Sequence, residues 1–218
     1  MKKCLALLLS LMLLLSLVAC GGAPAPSGSS DATPSSDPSS QEGGDGEPVY
    51  QIGIVQLMEH DALDAAYQGF VDRLKELGYE DGKNISIDYQ NAQNEQANCV
   101  TIADKLVNEK CDLILAIATP AAQAVANKTT EIPILVTAVT DPATAKLVAS
   151  NDAPGGNVTG TSDLNPIKEQ AELLLALVPE AKTVGMLYSS SEANSEFQVS
   201  LAKAELTAKD ITCVDYTV

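Results

Sequence analysis

The sequence has no tryptophan, two phenylalanines and one histidine, and its 13 lysines and arginines are outnumbered by 29 aspartates and glutamates. The few basic residues are scattered along the chain. This excludes a general nucleic-acid binder, because phosphate backbones require clustered Lys and Arg. Many Ala, Val, Leu and Ile residues make the remaining composition typical of an ordinary α/β domain.

The sequence also lacks the short motifs that mark common catalytic and nucleotide-binding sites. It contains no G-x-S-x-G elbow, no G-x-x-x-x-G-K-[ST] phosphate loop and no G-x-G-x-x-G fingerprint. His60 could act as a general base near neutral pH, but no nucleophile accompanies it. We therefore predict that the protein is not an enzyme. The alternative is a surface enzyme that uses His60 with Asp61 or Glu59.

The first 20 residues have the pattern of an export signal. A lysine pair precedes a leucine-rich apolar run, Leu5 to Val18, which is too short to span a bilayer comfortably. The run ends in Leu17-Val18-Ala19-Cys20, which resembles the lipobox of bacterial lipoproteins. The resemblance implies that residues 1–19 are a cleaved signal peptide and that Cys20 is lipidated. Cys20 would then anchor the protein to the outer face of the cell membrane.

Residues 21–47 consist almost entirely of Gly, Ser, Pro, Ala, Asp and Glu. A segment without large apolar residues cannot bury enough surface to offset the entropy of ordering. We therefore predict that residues 20–48 comprise the lipidated cysteine and a disordered tether. Loss of residues 1–19 removes two lysines and no acid, so the formal net charge changes from −16 to −18.

Three cysteines lie beyond the predicted anchor: Cys99, Cys111 and Cys213. They have no C-x-x-C spacing and His60 is far from them in sequence, so we expect no metal and no cofactor. We interpret them as small buried hydrophobic residues. A disulfide between Cys99 and Cys111 is the alternative, because an exported protein meets an oxidising environment.

From residue 49 onward, short β-branched apolar runs alternate with segments of helical period, which predicts βαβ units and parallel sheets. We assign residues 49–161 to a first α/β lobe and residues 162–218 to a hinge and a partial second lobe. The predicted strands are 50–57, 85–90, 113–118, 132–139, 157–161, 183–188 and 211–216. The second lobe has too few elements to stand alone, so we expect a truncated chain or an unusually small lobe.

The intervening segments predict helices. The first carries an apolar face from Leu63 to Leu77 and stops at Gly78. Thr119 is predicted to cap a helix that has Pro120 in its first turn. A short helix is expected through Leu147 and Val148. The other predicted helices are 96–110, 167–178 and 197–208.

Ligands of open parallel α/β sheets bind at the carboxyl ends of the strands. The segments after the predicted strands carry short polar side chains at helix N-termini, where free N–H groups and the helix dipole favour a carboxylate. Asp141 and Asp163 could accept an ammonium group. Each of these residues alone could be an ordinary helix cap. A ligand site is indicated only because many of them are expected at the same edge of the sheet.

Several segments resemble the substrate-binding proteins of ABC transporters in the tryptophan/tyrosine-type branch. They are residues 53–56, 59–64, 118–123, 138–142, 157–163 and 188–195. The resemblance covers residues 49–218. It implies a periplasmic-binding-protein-like fold of two Rossmann-like lobes with parallel sheets, of which the second is incomplete here. It also implies that the lobes close on a small molecule and deliver it to a permease and its ATPase.

Transferred to this chain, the resemblance predicts ligand contacts in the loops at the strand ends. These candidate residues are His60, Ala62, Leu63, Thr119, Pro120, Thr137, Ala138, Val139, Thr140, Asp141, Ser162, Asp163, Ser189, Glu192, Asn194 and Ser195.

An amino acid with an aromatic or apolar side chain is the expected ligand. Thr119 would hold its carboxylate, Asp141 would hold its ammonium group, and Ala62, Leu63 and Ala138 would line the side-chain pocket. A ligand sensor of similar architecture is the remaining alternative. Some ligand sensors of this architecture are DNA-binding repressors. The predicted signal peptide and the lack of a basic DNA-binding segment argue against a repressor here.

Overall fold

The computed structural model describes residues 49–218, so the predicted signal peptide, Cys20 and the tether lie outside the described residues. The described residues, 49–218, belong to one compact unit. Within the part that the structure describes, no helix has the length and apolar character needed to cross a membrane. The predicted boundary between residues 161 and 162 stays a prediction.

Strands and helices alternate along the described chain. The strands are β1 (Tyr50–Gln56), β2 (Ile85–Asn91), β3 (Leu113–Ile117), β4 (Ile134–Val139), β5 (Val158–Ser162), β6 (Thr183–Tyr188) and β7 (Thr212–Thr217). The helices are α1 (Asp61–Glu76), α2 (Gln96–Asn108), α3 (Thr119–Ala126), α4 (Ile167–Leu177) and α5 (Ala193–Thr207).

Two parallel sheets result from this alternation. The larger has the order β2-β1-β3-β4-β5, and β6 and β7 form the smaller. Every strand pair is parallel, so the carboxyl ends of the five strands lie along one edge of the larger sheet. The predicted α/β class with parallel sheets is confirmed.

Both faces of the larger sheet are covered, which explains why its central strands are almost wholly apolar. Val55, Ile114 and Val136 belong to a core cluster that also contains buried alanines of α3 and the buried apolar residues of α2. Ile54 and Ile117 belong to a second cluster, packed against side chains of α1. Full burial of one such side chain contributes about 1.5–3 kcal/mol, so the central strands form a rigid support for the loops at their ends.

The smaller sheet is covered on one face by α4 and α5. Ala171, Leu206 and Ile211 are buried there. Leu187 and Tyr216 point away from these helices and are 73% and 59% exposed. The smaller sheet therefore buries much less apolar surface than the larger one.

Cys99 and Cys111 are both buried and free, so the alternative of a disulfide between them is wrong. Burial raises the pKa of both thiols, which therefore stay protonated near neutral pH. The interpretation of Cys99 and Cys111 as small buried hydrophobic residues is confirmed, because both belong to the core cluster that contains buried residues of α2 and α3. For Cys213 it is wrong, because this residue is only half-buried beside the core of the smaller sheet.

Two local predictions are wrong. Thr119 does not cap α3 from outside, because α3 begins at Thr119 and the preceding residue, Ala118, makes no side-chain capping bond. The helix through Leu147 and Val148 is absent. The chain makes a single turn there: the Leu147 N–H donates to Pro142 O at 2.9 Å, and Lys146 has φ +60°. A residue in this left-handed conformation ends a helix after its first turn.

Candidate functional site

The carboxyl edge of the larger sheet gathers the loops that the sequence indicates. The Leu57 N–H donates to Ile117 O at 3.2 Å, and the Ala118 N–H donates to Thr137 O at 3.0 Å. The Asp163 N–H donates to Val139 O at 3.1 Å. These bonds extend the pairing of β1, β3, β4 and β5 beyond the regular strands, so the predicted residues after them lie side by side.

His60 precedes α1 and closes the N-terminus of that helix. Its Nδ1 accepts the Ala62 N–H at 3.2 Å, and its side chain is exposed. Leu63 packs against both core clusters, whereas Ala62 is exposed. One ring nitrogen of His60 is thus occupied as a helix cap, and this gives no support to the alternative of a catalytic base.

Gln56, the last residue of β1, is a polar side chain that sequence reasoning missed. It is 0% exposed. Its Nε2 donates to Met58 O at 2.8 Å and to Asp64 Oδ1 at 2.6 Å. Its Oε1 is buried without a hydrogen-bond partner. A glutamine at the end of an apolar run shows no sign of this arrangement, because Asp64 meets it only after α1 folds back onto the sheet.

Thr119 begins α3 and is 2% exposed, yet its Oγ1 has no hydrogen-bond partner. The residue before it, Ala118, has φ +83° and ψ 153°, a conformation that is essentially restricted to glycine. Such strain costs about 1–3 kcal/mol and is concentrated at binding sites. The strained backbone turns the chain from β3 into α3, and Thr119 and Pro120 are buried at that turn.

Asp141 organises the loop after β4. Its Oδ1 accepts the Thr144 N–H at 2.6 Å and its Oδ2 accepts Asn151 Nδ2 at 2.7 Å. The Thr144 N–H is the main reason that the pKa of Asp141 lies below its usual range. Both carboxylate oxygens thus accept hydrogen bonds within their own loop, and the expected contact of Asp141 with an ammonium group stays a prediction.

The ends of β4 and β5 are tied together by side chains. Ser162 Oγ donates to Thr140 O at 2.6 Å and accepts the Leu164 N–H at 3.2 Å. The pairing of the two strands is irregular between Val136 and Val139, and Ala138 in this interval has φ +53°. Such an irregularity changes the directions in which the side chains from Thr137 to Thr140 point, at the edge of the sheet.

The loop after β6 and the first turn of α5 carry the remaining candidates. Ser189 Oγ lies 3.0 Å from Ser191 Oγ, and Asn194 Nδ2 donates to Glu192 Oε2 at 3.3 Å. Ser195 is half-buried, and its N–H donates to Glu192 O at 3.1 Å. The Asn194 Oδ1 is buried and has no hydrogen-bond partner.

Side-chain hydrogen bonds join this region and α5 to the helix α2 and the loops beside the larger sheet, and two of them are long. Gln96 Nε2 donates to Ser191 O at 3.5 Å, and Gln198 Nε2 donates to Thr140 Oγ1 at 3.4 Å. Sequence reasoning missed both glutamines, because their partners are 95 and 58 residues away along the chain. Both bonds are long, so they contribute little to stability.

Within residues 49–218, three buried side-chain atoms lack a hydrogen-bond partner: Gln56 Oε1, Thr119 Oγ1 and Asn194 Oδ1. Gln56 ends β1, Thr119 begins α3 just after β3, and Asn194 lies in the first turn of α5, the helix that follows β6. An unpaired buried polar group costs about 1–3 kcal/mol, so three of them in such positions are a sign of unfilled hydrogen-bonding capacity. The described residues contain no group of three His, Cys, Asp or Glu side chains that could hold a metal ion.

Comparison with known proteins gives consistent matches. The family described as ABC transporter substrate binding protein matches residues 51–218. A tyrosine-binding protein of Clostridioides difficile (strain R20291) is 52% identical over 155 residues, which are 71% of this chain and 45% of that protein.

Two solved structures are similar in both sequence and fold. A conserved domain protein from Vibrio cholerae has a TM-score of 0.75 and 44% identity. A domain from Streptococcus pneumonia in complex with L-Trp has a TM-score of 0.74 and 44% identity. Each match covers 78% of this chain and 57% of the other chain. The chain thus spans about half the length of the relatives that it matches.

Proposed function

The chain belongs to the family of ABC transporter substrate-binding proteins, and from this membership we propose that it captures a small solute, namely an amino acid with an aromatic or apolar side chain. The amino acid binds at the carboxyl edge of the larger sheet and is delivered to a membrane permease driven by an ATPase. The tyrosine-binding relative and the L-Trp complex support an aromatic ligand.

The unpaired buried oxygens of Gln56, Thr119 and Asn194 carry this proposal. A buried polar atom is normally satisfied by protein or by ordered water. Two of these residues, Thr119 and Asn194, are sites that the sequence predicts for ligand contact.

The N-terminus of α3 favours the carboxylate of the ligand. Its first turn contains no acidic residue, so the free N–H groups and the helix dipole are not neutralised there. The Thr119 hydroxyl adds a donor at the same place. Ala62, Leu63 and Ala138 are the expected apolar contacts of the ligand side chain, and Asp141 is a candidate partner of its ammonium group.

Isothermal titration of the full-length protein against a panel of amino acids tests the proposal. We expect L-tyrosine, L-tryptophan or L-phenylalanine to bind with a dissociation constant near 1 µM, which corresponds to about −8 kcal/mol. L-lysine and L-glutamate are the controls and should bind at least about 100-fold more weakly, because their charged side chains would be buried. The absence of binding tighter than millimolar to every amino acid would exclude this function.

We further propose that Cys20 carries the lipid that holds the protein at the outer face of the membrane. The expected result of Cys20→Ser is loss of the protein from the detergent-rich phase in a Triton X-114 partition, because one serine cannot replace acyl chains worth about 0.8 kcal/mol for each buried CH₂ group. Cys4→Ser is the matched control and should leave partitioning unchanged, since Cys4 lies in the predicted signal peptide. A Cys20→Ser variant that still partitions with detergent contradicts the assignment.

A further inference from the structure

A cavity lies at the amino edge of the larger sheet, opposite to the predicted amino-acid site. Tyr50, at the start of β1, lines it, and Gln56 ends the same strand about 20 Å away, at 3.3 Å for each residue. The cavity has a volume of about 480 Å³, which is within the range of small-molecule sites. We propose that it binds a small organic cation of the quaternary ammonium class, independently of the amino-acid site.

Most of the cavity lining is apolar. Ile52 and Ile85 are 5% and 1% exposed, and both belong to the core cluster that packs against α1. Leu74 of α1 and Leu113 of β3 complete the aliphatic part of the lining. Aliphatic side chains cannot replace the hydrogen bonds that a metal ion or a primary ammonium group makes with water. A cation whose charge is surrounded by methyl groups loses far less when it enters such a cavity.

Two tyrosine rings form one corner of the cavity. Tyr50 and Tyr79 are 46% and 40% exposed, and their ring centroids are 6.5 Å apart with an angle of 71° between the ring planes. A corner between two nearly perpendicular rings presents one face of each ring. A cation in that corner can lie within about 6 Å of both centroids, the range in which ring faces attract positive charge. The pair therefore favours a cation over a neutral molecule of the same shape.

Asp112 is the one charged residue among the described residues that line the cavity. Its Oδ2 accepts the Gln51 N–H at 2.7 Å, which holds the carboxylate at the start of β1. No lysine or arginine of the described chain forms an ion pair with Asp112. Lys75 lines a neighbouring cavity with Tyr79 and does not line this one. The unpaired carboxylate and the two rings thus attract a cation together.

The segment before Tyr50 does not supply this cation. Residues 20–48 contain no lysine or arginine and no aromatic or long aliphatic side chain. A phospholipid headgroup would bring a phosphate next to Asp112, and no basic residue lines the cavity to bind that phosphate. The lining therefore fits a free cation better than a headgroup.

Titration of the full-length protein with choline, followed by ligand-observed NMR, tests this site. The first control is the neutral alcohol in which carbon replaces the ammonium nitrogen of choline. We expect choline to bind with a dissociation constant of about 1 mM and the alcohol to bind at least about tenfold more weakly. Equal binding of the two would overturn the proposal, because the charge would then play no part.

Glycerophosphocholine distinguishes a free cation from a lipid headgroup. Its phosphate adds a negative charge beside Asp112, so we expect it to bind at least about tenfold more weakly than choline. Binding as tight as that of choline would overturn the assignment to a free cation. A saturating aromatic amino acid should leave the affinity for choline unchanged. Displacement of choline by that amino acid would place choline in the amino-acid site and would also overturn the proposal.

Two variants locate the choline site. Tyr79→Leu removes a ring and keeps an apolar side chain, and we expect about two- to fivefold weaker choline binding. Asp112→Asn keeps an acceptor for the Gln51 N–H and should have an effect of similar size even if Tyr79→Leu does not fold. Both variants should bind the neutral alcohol as the wild-type protein does. Tyr216→Leu is the matched control, because Tyr216 is 59% exposed on the smaller sheet.

Unchanged choline affinity in folded Tyr79→Leu and Asp112→Asn proteins, judged by circular dichroism, would overturn the site. An equal loss for choline and the alcohol would do so as well, since it would indicate a change of shape alone. The result is separate from the proposed function. If no amino acid binds the protein, that function fails, and the choline titration still decides the role of this cavity.

Discussion

Replacing Gly160 by alanine is expected to lower the free energy of unfolding by about 3 kcal/mol, the upper range for overpacking in a core. A Cβ atom at residue 160 would lie 2.0 Å from the carbonyl oxygen of Val136 and 2.7 Å from its carbonyl carbon. Both are backbone atoms of β4, the strand paired with β5. The clash cannot be relieved by a side-chain rotation, so the two strands must separate.

Urea unfolding followed by circular dichroism measures this effect, and Gly156→Ala is the matched control. Gly156 lies shortly before β5, and a Cβ atom there would meet nothing within 4 Å. We expect the control to keep the wild-type midpoint. A domain of this size has only about 5–15 kcal/mol of stability, so the loss in Gly160→Ala should be clearly visible. Equal midpoints for the two variants would show that β4 and β5 adjust without cost.

Strands and helices are the features that the sequence predicts well, because their signals are local. The apolar runs around Ile54, Leu115 and Val136 identify strands whose bounds agree with the structure within two residues. The failures have a common physical cause. The turn at Lys146 and the start of α3 at Thr119 depend on positive φ values at non-glycine residues, which no residue preference indicates.

The candidate site was predictable only in part. Thr119 and Asn194 could be selected because each comes after a parallel strand, Thr119 in the larger sheet and Asn194 in the smaller one, and ligands bind at the carboxyl ends of such strands. Gln56 could not be selected, because a glutamine that ends a strand usually faces solvent and its partner Asp64 is brought to it by α1. The close approach of Gly160 to Val136 is equally invisible in sequence, because it depends on how β4 and β5 pair.

Replacing Thr119 by valine is expected to change stability and ligand affinity in opposite directions. Valine keeps the branched shape of threonine and has a similar helix propensity, but it removes the unpaired buried hydroxyl. Relief of that unpaired group should raise the free energy of unfolding by about 1 kcal/mol. Amino-acid binding should weaken by about 10- to 100-fold, because a hydrogen bond to the charged carboxylate is lost.

Two further variants separate this behaviour from an ordinary loss of packing. Thr119→Ser keeps the hydroxyl and should retain most of the affinity. Thr129 provides the contrast, because its Oγ1 accepts the N–H groups of Glu131 and Ile132, each at 3.2 Å. Thr129→Val should therefore lower stability by about 1 kcal/mol and leave binding unchanged. A Thr119→Val protein that is less stable than wild type and binds the ligand normally would identify Thr119 as a structural residue of α3.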